Sequence, residues 1–207
     1  MTAAGRRARP ARGAARLALL AVACLGGLLI AGVASGDEPL PMQTVRDPQG
    51  RFTIDLPAAW QVVTSYRDPA VAAKSPAQSG DLPDTVTVIV RDLPFAISPE
   101  NCARQVAQLM RLMIHRWETV SEGAVTFSGL AAYSRTYTWR TKTGEDRRSV
   151  QTCAVMGRRA FVLIGTTMNT PDRVNDDLPK IVRIMSTFRP VASSPAEPAQ
   201  NQPGSQH

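Results

Sequence analysis

The chain has 207 residues and a formal net charge of +7 at pH 7. This length suits one domain with its own core and excludes two ordinary domains with tails. The positive excess lies at the start, because five arginines precede residue 17 and all 17 acidic residues follow residue 36. Beyond residue 36 the chain has 19 basic and 17 acidic residues, which excludes a domain-wide cationic surface for nucleic acid.

The first 36 residues are organised like a secretory signal. Arginines at positions 6 to 16 form a positive region, Leu17–Ala34 form an uncharged apolar run, and small residues follow in VASGDEP. We expect export, with cleavage after Ala34 or Gly36. One alternative is an uncleaved membrane anchor through residues 17–34, since 18 residues reach the lower limit for spanning a bilayer. Another is a lipoprotein with its lipid on Cys24. All three versions place the domain in the periplasm or another extracytoplasmic space.

Composition divides the rest of the chain into three parts. Residues 37–48, DEPLPMQTVRDP, are polar and spaced by prolines, which is typical of a linker. Residues 191–207 have no aromatic residue and are predicted to form a disordered tail. The globular domain is therefore predicted over residues 49–190.

The first predicted elements follow from the stretch GRFTIDLPAAWQVV. Its alternating apolar residues indicate strands at Arg51–Leu56 and Trp60–Ser65, interrupted at Pro57, which cannot donate a ladder hydrogen bond. Residues 67–84 are predicted to be a long loop. Thr85–Asp92 alternates again and is predicted to be a strand.

A helix is predicted next, with Ser98 as its cap and Pro99 in its first turn. Its apolar residues recur at helical spacing and place Cys102 on the core face, in the series Cys102, Val106, Leu109, Met113 and Trp117. An antiparallel meander of three strands follows, with turns at Gly144 and Gly157: Leu130–Arg140, Arg147–Met156 and Arg159–Thr167. A last helix buries Val174, Leu178, Ile181, Met185 and Phe188, with Pro179 as a kink or a late start.

Two cysteines remain if Cys24 leaves with the signal. An even pair in an oxidising compartment predicts a disulfide between Cys102 and Cys153, a helix residue and a strand residue. Two separate buried thiols are the alternative.

Several of these stretches together resemble one family. The motif GRFTIDLPAAWQVV, the pair GLAAYSRTYTW and RRAFVLIGTT, and the closing IVRIMSTFRP are similar to the PsbP-like domains, which are related to the Mog-type Ran-binding proteins. The resemblance covers roughly residues 45–190. It implies an α+β fold, an α/β/α sandwich around a mostly antiparallel sheet. It also implies a binding, assembly or accessory role with no shared catalytic centre.

Catalytic chemistry has little support in the sequence. His115 is the only histidine besides the terminal one, and it falls on the polar side of the predicted first helix, out of reach of Cys102. A pair formed by His115 and Cys153 is left open. No nucleophile-elbow, zinc-protease, CxxC or phosphate-loop motif occurs. Three aspartates, Asp172, Asp176 and Asp177, either hold a hydrated cation or complement a helix dipole, and the second reading is favoured.

One stripe of side chains is the predicted partner-binding surface. Four residues share a face of one strand: Tyr133, Arg135, Tyr137 and Trp139. Such a stripe is usually core under a helix, but its arginine indicates a partly wet face. The long loop 67–84 is the second candidate contact. Basic residues beside the hairpin turns, including Arg147, are predicted to be solvated.

Two function classes follow. The first is an exported, non-catalytic binding or assembly domain with a protein partner in the cell envelope, and this is the prediction. It involves no catalytic residue, no metal and no cofactor. The alternative is a hydrolase or metal-dependent enzyme of the envelope without a recognisable signature.

Overall fold

The computed structural model describes residues 41–77 and 82–192. These residues form ten strands and two helices, in the order β1 (Met42–Arg46), β2 (Phe52–Pro57), β3 (Gln61–Thr64), β4 (Val71–Lys74), β5 (Thr85–Asp92), α1 (Pro99–Met113), β6 (His115–Phe127), β7 (Leu130–Arg140), β8 (Asp146–Met156), β9 (Arg159–Met168), α2 (Pro171–Ser186) and β10 (Arg189–Pro190). The expected signal or anchor, Cys24 and the tail beyond residue 192 lie outside the described residues.

Seven strands form one sheet in the order β3-β4-β5-β9-β8-β7-β6, and β1, β2 and β10 form a smaller one. Every pairing of neighbouring strands in the described residues is antiparallel. The predicted α+β class, two helices on a mostly antiparallel sheet, is confirmed.

The alternation of side chains along β9 separates two cores. Phe161 and Leu163 point to one face, where they pack with α2, the valines of β5 and the small sheet. Val162 and Ile164 point to the other face, where they pack with Cys102 and Ala103 of α1. The two helices therefore lie on opposite faces of the large sheet, which makes the α/β/α sandwich.

Helix α1 begins as predicted. The Ser98 hydroxyl accepts a hydrogen bond from the Asn101 amide at 3.1 Å, and Pro99 occupies the first helical position, where no donor is needed. The end was predicted wrongly, because the helix stops at Met113 and Trp117 lies on β6. The predicted series of core-facing apolar residues on this helix is therefore wrong over its second half.

Helix α2 approaches β9 very closely at Gly165. A Cβ atom there would overlap Ile181 Cγ2 and lie 2.7 Å from Met185 Sδ. Glycine lets the helix rest almost directly on the strand backbone, so Ile181 and Met185 are nearly fully buried. The helix continues through Pro179.

Part of the predicted linker is structured. Residues 42–46 form β1, which pairs with β2 from Met42↔Pro57 to Arg46↔Thr53. At the turn, the buried Asp47 carboxylate accepts hydrogen bonds from Arg51 Nε at 2.7 Å, Arg51 Nη2 at 2.9 Å and the Arg51 amide at 3.0 Å. This closes the hairpin, so the folded region begins before residue 49.

Neither described helix is long and apolar enough to cross a membrane.

Candidate ligand-binding cavity

A cavity of about 300 Å³ lies between α2 and the chain that joins β4 to β5. This chain belongs to the loop 67–84 predicted as a contact surface, within which the structure adds the strand β4. The described lining consists of an apolar floor and a polar rim: Pro57, Trp60, Ser75, Pro76, Ala77, Leu82, Pro83, Asp84, Arg173, Asp177, Lys180, Ile181 and Ile184. Its volume is at the small end of ligand pockets.

Two hydrogen bonds hold the described ends of this loop together. The Ser75 amide donates to the Asp84 carbonyl at 2.9 Å, and the Asp84 amide donates to the Ser75 hydroxyl at 2.9 Å. Pro76 and Pro83 follow and precede this closure and restrict the backbone on both sides. The wall of the cavity opposite α2 is therefore fixed where the loop leaves and rejoins the sheet.

The polar rim is organised around Arg173 in α2. Its Nη2 atom lies 3.0 Å from Asp84 Oδ1 and its Nε atom lies 2.9 Å from Asp177 Oδ2. Lys180 Nζ lies 3.3 Å from Asp177 Oδ1, with a side chain that is 59% exposed. Both carboxylates are already paired with a guanidinium, so they are poorly placed as general acids or bases, and Lys180 keeps donors free for a ligand.

Arg147 supports the loop from the sheet side. It is nearly buried, and its Nη2 atom donates to the Pro83 carbonyl at 2.8 Å. Burial lowers the pKa of this guanidinium from its ordinary value. The prediction that Arg147 is a solvated hairpin residue is therefore wrong. The charge was expected to reach water, but the loop after β4 covers it.

The predicted stripe on β7 lies under α1. Tyr137 is fully buried, and its ring stacks on Trp117 of β6 with centroids 3.7 Å apart. Arg135 is 8% exposed, and it donates to Glu122 Oε2 at 2.5 Å and to the Ala103 carbonyl of α1 at 3.2 Å. Neither Tyr137 nor Arg135 presents a surface to a partner, which corrects the prediction for these two residues.

The two outer residues of the stripe are half-buried and also support the core. Trp139 Nε1 donates to the Ser149 hydroxyl at 2.9 Å, and Tyr133 packs against the cluster that contains Cys153.

Burial raises the pKa of Tyr137 to about 12, so its hydroxyl stays neutral. The arginine that indicated a wet face instead ties β7 to the backbone of α1.

The two cysteines lie in one buried cluster below α1. Both are buried free thiols in the structure. Their proximity lowers the pKa of Cys102 and, together with burial, raises that of Cys153. Gln151 Nε2 donates to Cys153 Sγ at 3.4 Å. The disulfide between Cys102 and Cys153 stays a prediction, with two free buried thiols as the alternative.

No catalytic pair forms between His115 and Cys153. His115 is exposed and pairs with Arg140, whereas Cys153 is buried and pairs with Tyr133. Tyr133 and Arg140 are seven residues apart on β7, a separation of about 23 Å along a strand. In residues 41–77 and 82–192, no three His, Cys, Asp or Glu side chains lie together in a way that could hold a metal ion.

Known structures share this fold. No protein-family model matches the chain, and no curated protein matches its sequence. Cyanobacterial PsbP (CyanoP) from Synechocystis sp. PCC 6803 is similar with a TM-score of 0.59 at 13% identity, covering 78% of this chain and 99% of that chain. LpqN, involved in cell envelope biogenesis of Mycobacterium tuberculosis, is similar with a TM-score of 0.52 at 17% identity, covering 74% of this chain and 94% of its own.

A third similar structure is the Ran-binding protein Mog1p of Saccharomyces cerevisiae, with a TM-score of 0.52 at 11% identity. The match covers 72% of this chain and 95% of that protein. These likenesses confirm the resemblance at the level of the fold, which is PsbP-like.

The sequence predicted only one part of this cavity. Its loop was predicted as a contact surface, but Trp60, Arg173 and Lys180 were not. Arg173, Asp177 and Lys180 follow one another at spacings of four and three residues, which places them on one helical face. That spacing was the available signal, although it is equally typical of a solvated helix surface.

Proposed function

We propose that this PsbP-like chain is an exported accessory domain that binds a protein partner in the cell envelope. The observation that carries the proposal is the cavity between α2 and the loop after β4. It combines an apolar floor with a charged rim, and no histidine or cysteine is among its described lining residues. A cavity of this size suits one anchor side chain of a partner.

The rim charges indicate the chemistry of the partner. The cations at or behind the cavity are Arg147, Arg173 and Lys180, and the acidic groups are Asp84 and Asp177. The excess of one cation, with Lys180 the most exposed, favours a partner segment that carries a carboxylate next to an aromatic or aliphatic side chain. The apolar side chain would lie against Trp60 while the carboxylate would meet Lys180.

Separate observations support the proposed location in the cell envelope. The first 36 residues have the pattern of a secretory signal. Of the proteins that share the fold, LpqN is involved in cell envelope biogenesis and Mog1p is a Ran-binding protein. From these two proteins we extend an envelope location and a protein partner to this chain. The proposed Cys102–Cys153 disulfide suits the same oxidising space.

A photo-crosslinking amino acid at Ala77 tests the proposal in cells that express the full chain. Ala77 is exposed at the cavity mouth. We expect one discrete protein adduct, identified by mass spectrometry, that weakens when Lys180→Glu is added. The same amino acid at Arg183, which is exposed on α2 but does not line the cavity, is the control. No adduct at position 77, or the same adduct at both positions, would contradict the proposal.

A further inference from the structure

The last turns of α1 expose large apolar side chains. Leu109, Leu112 and Met113 are 62%, 85% and 61% exposed, and Leu112 is the most exposed large apolar residue described. Their spacing of one to four residues places them on one side of the helix end. Grouped apolar side chains of this exposure mark an interaction site more often than a solvated surface.

Positive charge flanks these side chains along α1 and at the start of β6. Residues 101–117 contain Arg104, Arg111 and Arg116 and no acidic residue. The pairing of His115 with Arg140 also brings the tip of the β7–β8 hairpin to this end of the domain. The tip carries the exposed Lys142 together with Glu145 and Asp146, and Asp146 pairs with Arg140 at 2.6 Å. The nearest acidic residues along the chain are Glu100, which pairs with Arg104 at 3.1 Å, and Glu118.

The backbone holds this arrangement in place. The register shifts between His115 and Glu118, and Arg116 adopts a left-handed φ of 51° in the shifted segment. The shift turns Trp117 inward onto Tyr137, while the Arg111 guanidinium lies 5.5 Å above the Trp117 ring. Arg116 stays exposed.

We propose that this end of α1 docks on an anionic lipid bilayer, with Leu109, Leu112 and Met113 inserted at the headgroup level and Arg111, Arg116 and Lys142 against lipid phosphates. Interleaved leucines and arginines without acids are typical of interfacial membrane segments, whereas the centres of protein interfaces are depleted of charge. The cavity lies against α2 on the opposite sheet face and stays accessible. This inference does not rest on the proposed function.

Vesicle sedimentation tests the proposal with the segment Pro39–His207, which contains every described helix and strand. We expect binding to vesicles of phosphatidylglycerol and phosphatidylcholine in equal parts, little binding to phosphatidylcholine alone, and weakening by salt. Leu112→Ser with Met113→Ser should weaken binding by about tenfold or more, since two exposed side chains lose their insertion energy.

Two further variants make the outcome specific. Arg116→Gly should weaken binding by about fivefold, because it removes one cation near the anionic surface. The same change should raise the melting temperature, because glycine adopts the left-handed backbone at this position without strain. Phe95→Ser, which removes a 66% exposed side chain before the start of α1, should leave binding unchanged. Equal binding to both vesicle types, no binding to either, or an equal loss with Phe95→Ser would overturn the proposal.

Discussion

Cys102 on α1 and Cys153 on β8 lie in one buried cluster of the core, and both are free thiols in the structure. Both residues are almost inaccessible, at 5% and 0% exposure. This cluster joins the helix to the middle of the sheet. A disulfide between them forms only when two electrons and two protons pass to a disulfide-type oxidant.

We predict that the protein isolated from an oxidising compartment carries the Cys102–Cys153 disulfide. Denatured without reductant, it should offer neither of these thiols to alkylation. Reduction should lower the free energy of unfolding by about 3 to 4 kcal/mol, the value for a loop of this length in the chain-entropy treatment. A variant with both cysteines changed to serine should not respond to reductant. Two alkylated thiols in natively isolated protein would refute the bond.

Gly165→Ala should destabilise the domain by about 1 to 3 kcal/mol, because its Cβ has no room beneath Ile181 and Met185. Chemical denaturation measures the change. Gly123→Ala is the matched control, since its Cβ meets nothing within 4 Å and alanine restricts the unfolded chain more than glycine does. If both variants are equally stable, α2 does not rest on β9 as described.

Trp139→Ala should lower the free energy of unfolding by about 3 kcal/mol, because it removes a half-buried ring and the hydrogen bond to Ser149. Tyr66→Ala, which removes a 73% exposed ring, should change it by less than about 0.5 kcal/mol. Thermal melting followed by circular dichroism distinguishes the two. An unaltered melting temperature for Trp139→Ala would show that this ring is not packed in the core and that the stripe is a surface.

Asp47→Asn should destabilise the domain by about 2 kcal/mol at neutral pH, since Arg51 loses its charged partner. Burial opposes ionisation of Asp47, but the hydrogen bonds from Arg51 outweigh it and hold the pKa below the ordinary value. A depressed pKa stabilises the fold above the unfolded value of about 3.9, and this stability is lost as the pH falls through the folded pKa.

Urea denaturation at neutral pH and below pH 4 measures this effect. The difference between wild type and Asp47→Asn should shrink in acid. Asp55→Asn is the control, because an amide oxygen can still accept the hydrogen bond from Thr44. A difference that is independent of pH would show that the Asp47 carboxylate does not act through its charge.

The sequence predicted the elements whose two faces differ. Thr85–Asp92 and Leu130–Arg140 have the predicted bounds because one face is more buried than the other. Strand β6 was missed because it is an edge strand whose residues are mostly exposed on both faces, so its apolar residues do not alternate. Strand β4 was missed because half of its residues are alanines, which are depleted in strands, and it lies in a stretch rich in small residues.

The site was harder to predict for a different reason. Trp60, Asp84 and Arg173 come from three separate elements, and only the tertiary fold brings them to one cavity. Composition also gives no signal for the burial of Arg147. The loop after β4 covers its guanidinium, and the Pro83 carbonyl in that loop accepts its hydrogen bond. Cys102 and Cys153 do lie in one buried cluster. Their disulfide stays a prediction, which rests on what an even pair of cysteines does in an oxidising space.

The central claim, that the cavity beside α2 holds the partner, is tested most directly by two charge reversals on one helix. Lys180→Glu changes the cavity rim, and Arg183→Glu makes the same charge change at an exposed position that does not line the cavity. With the partner identified by crosslinking at Ala77, calorimetric titration should show at least tenfold weaker binding for Lys180→Glu and nearly wild-type binding for Arg183→Glu. Equal affinities for the two variants would contradict the claim.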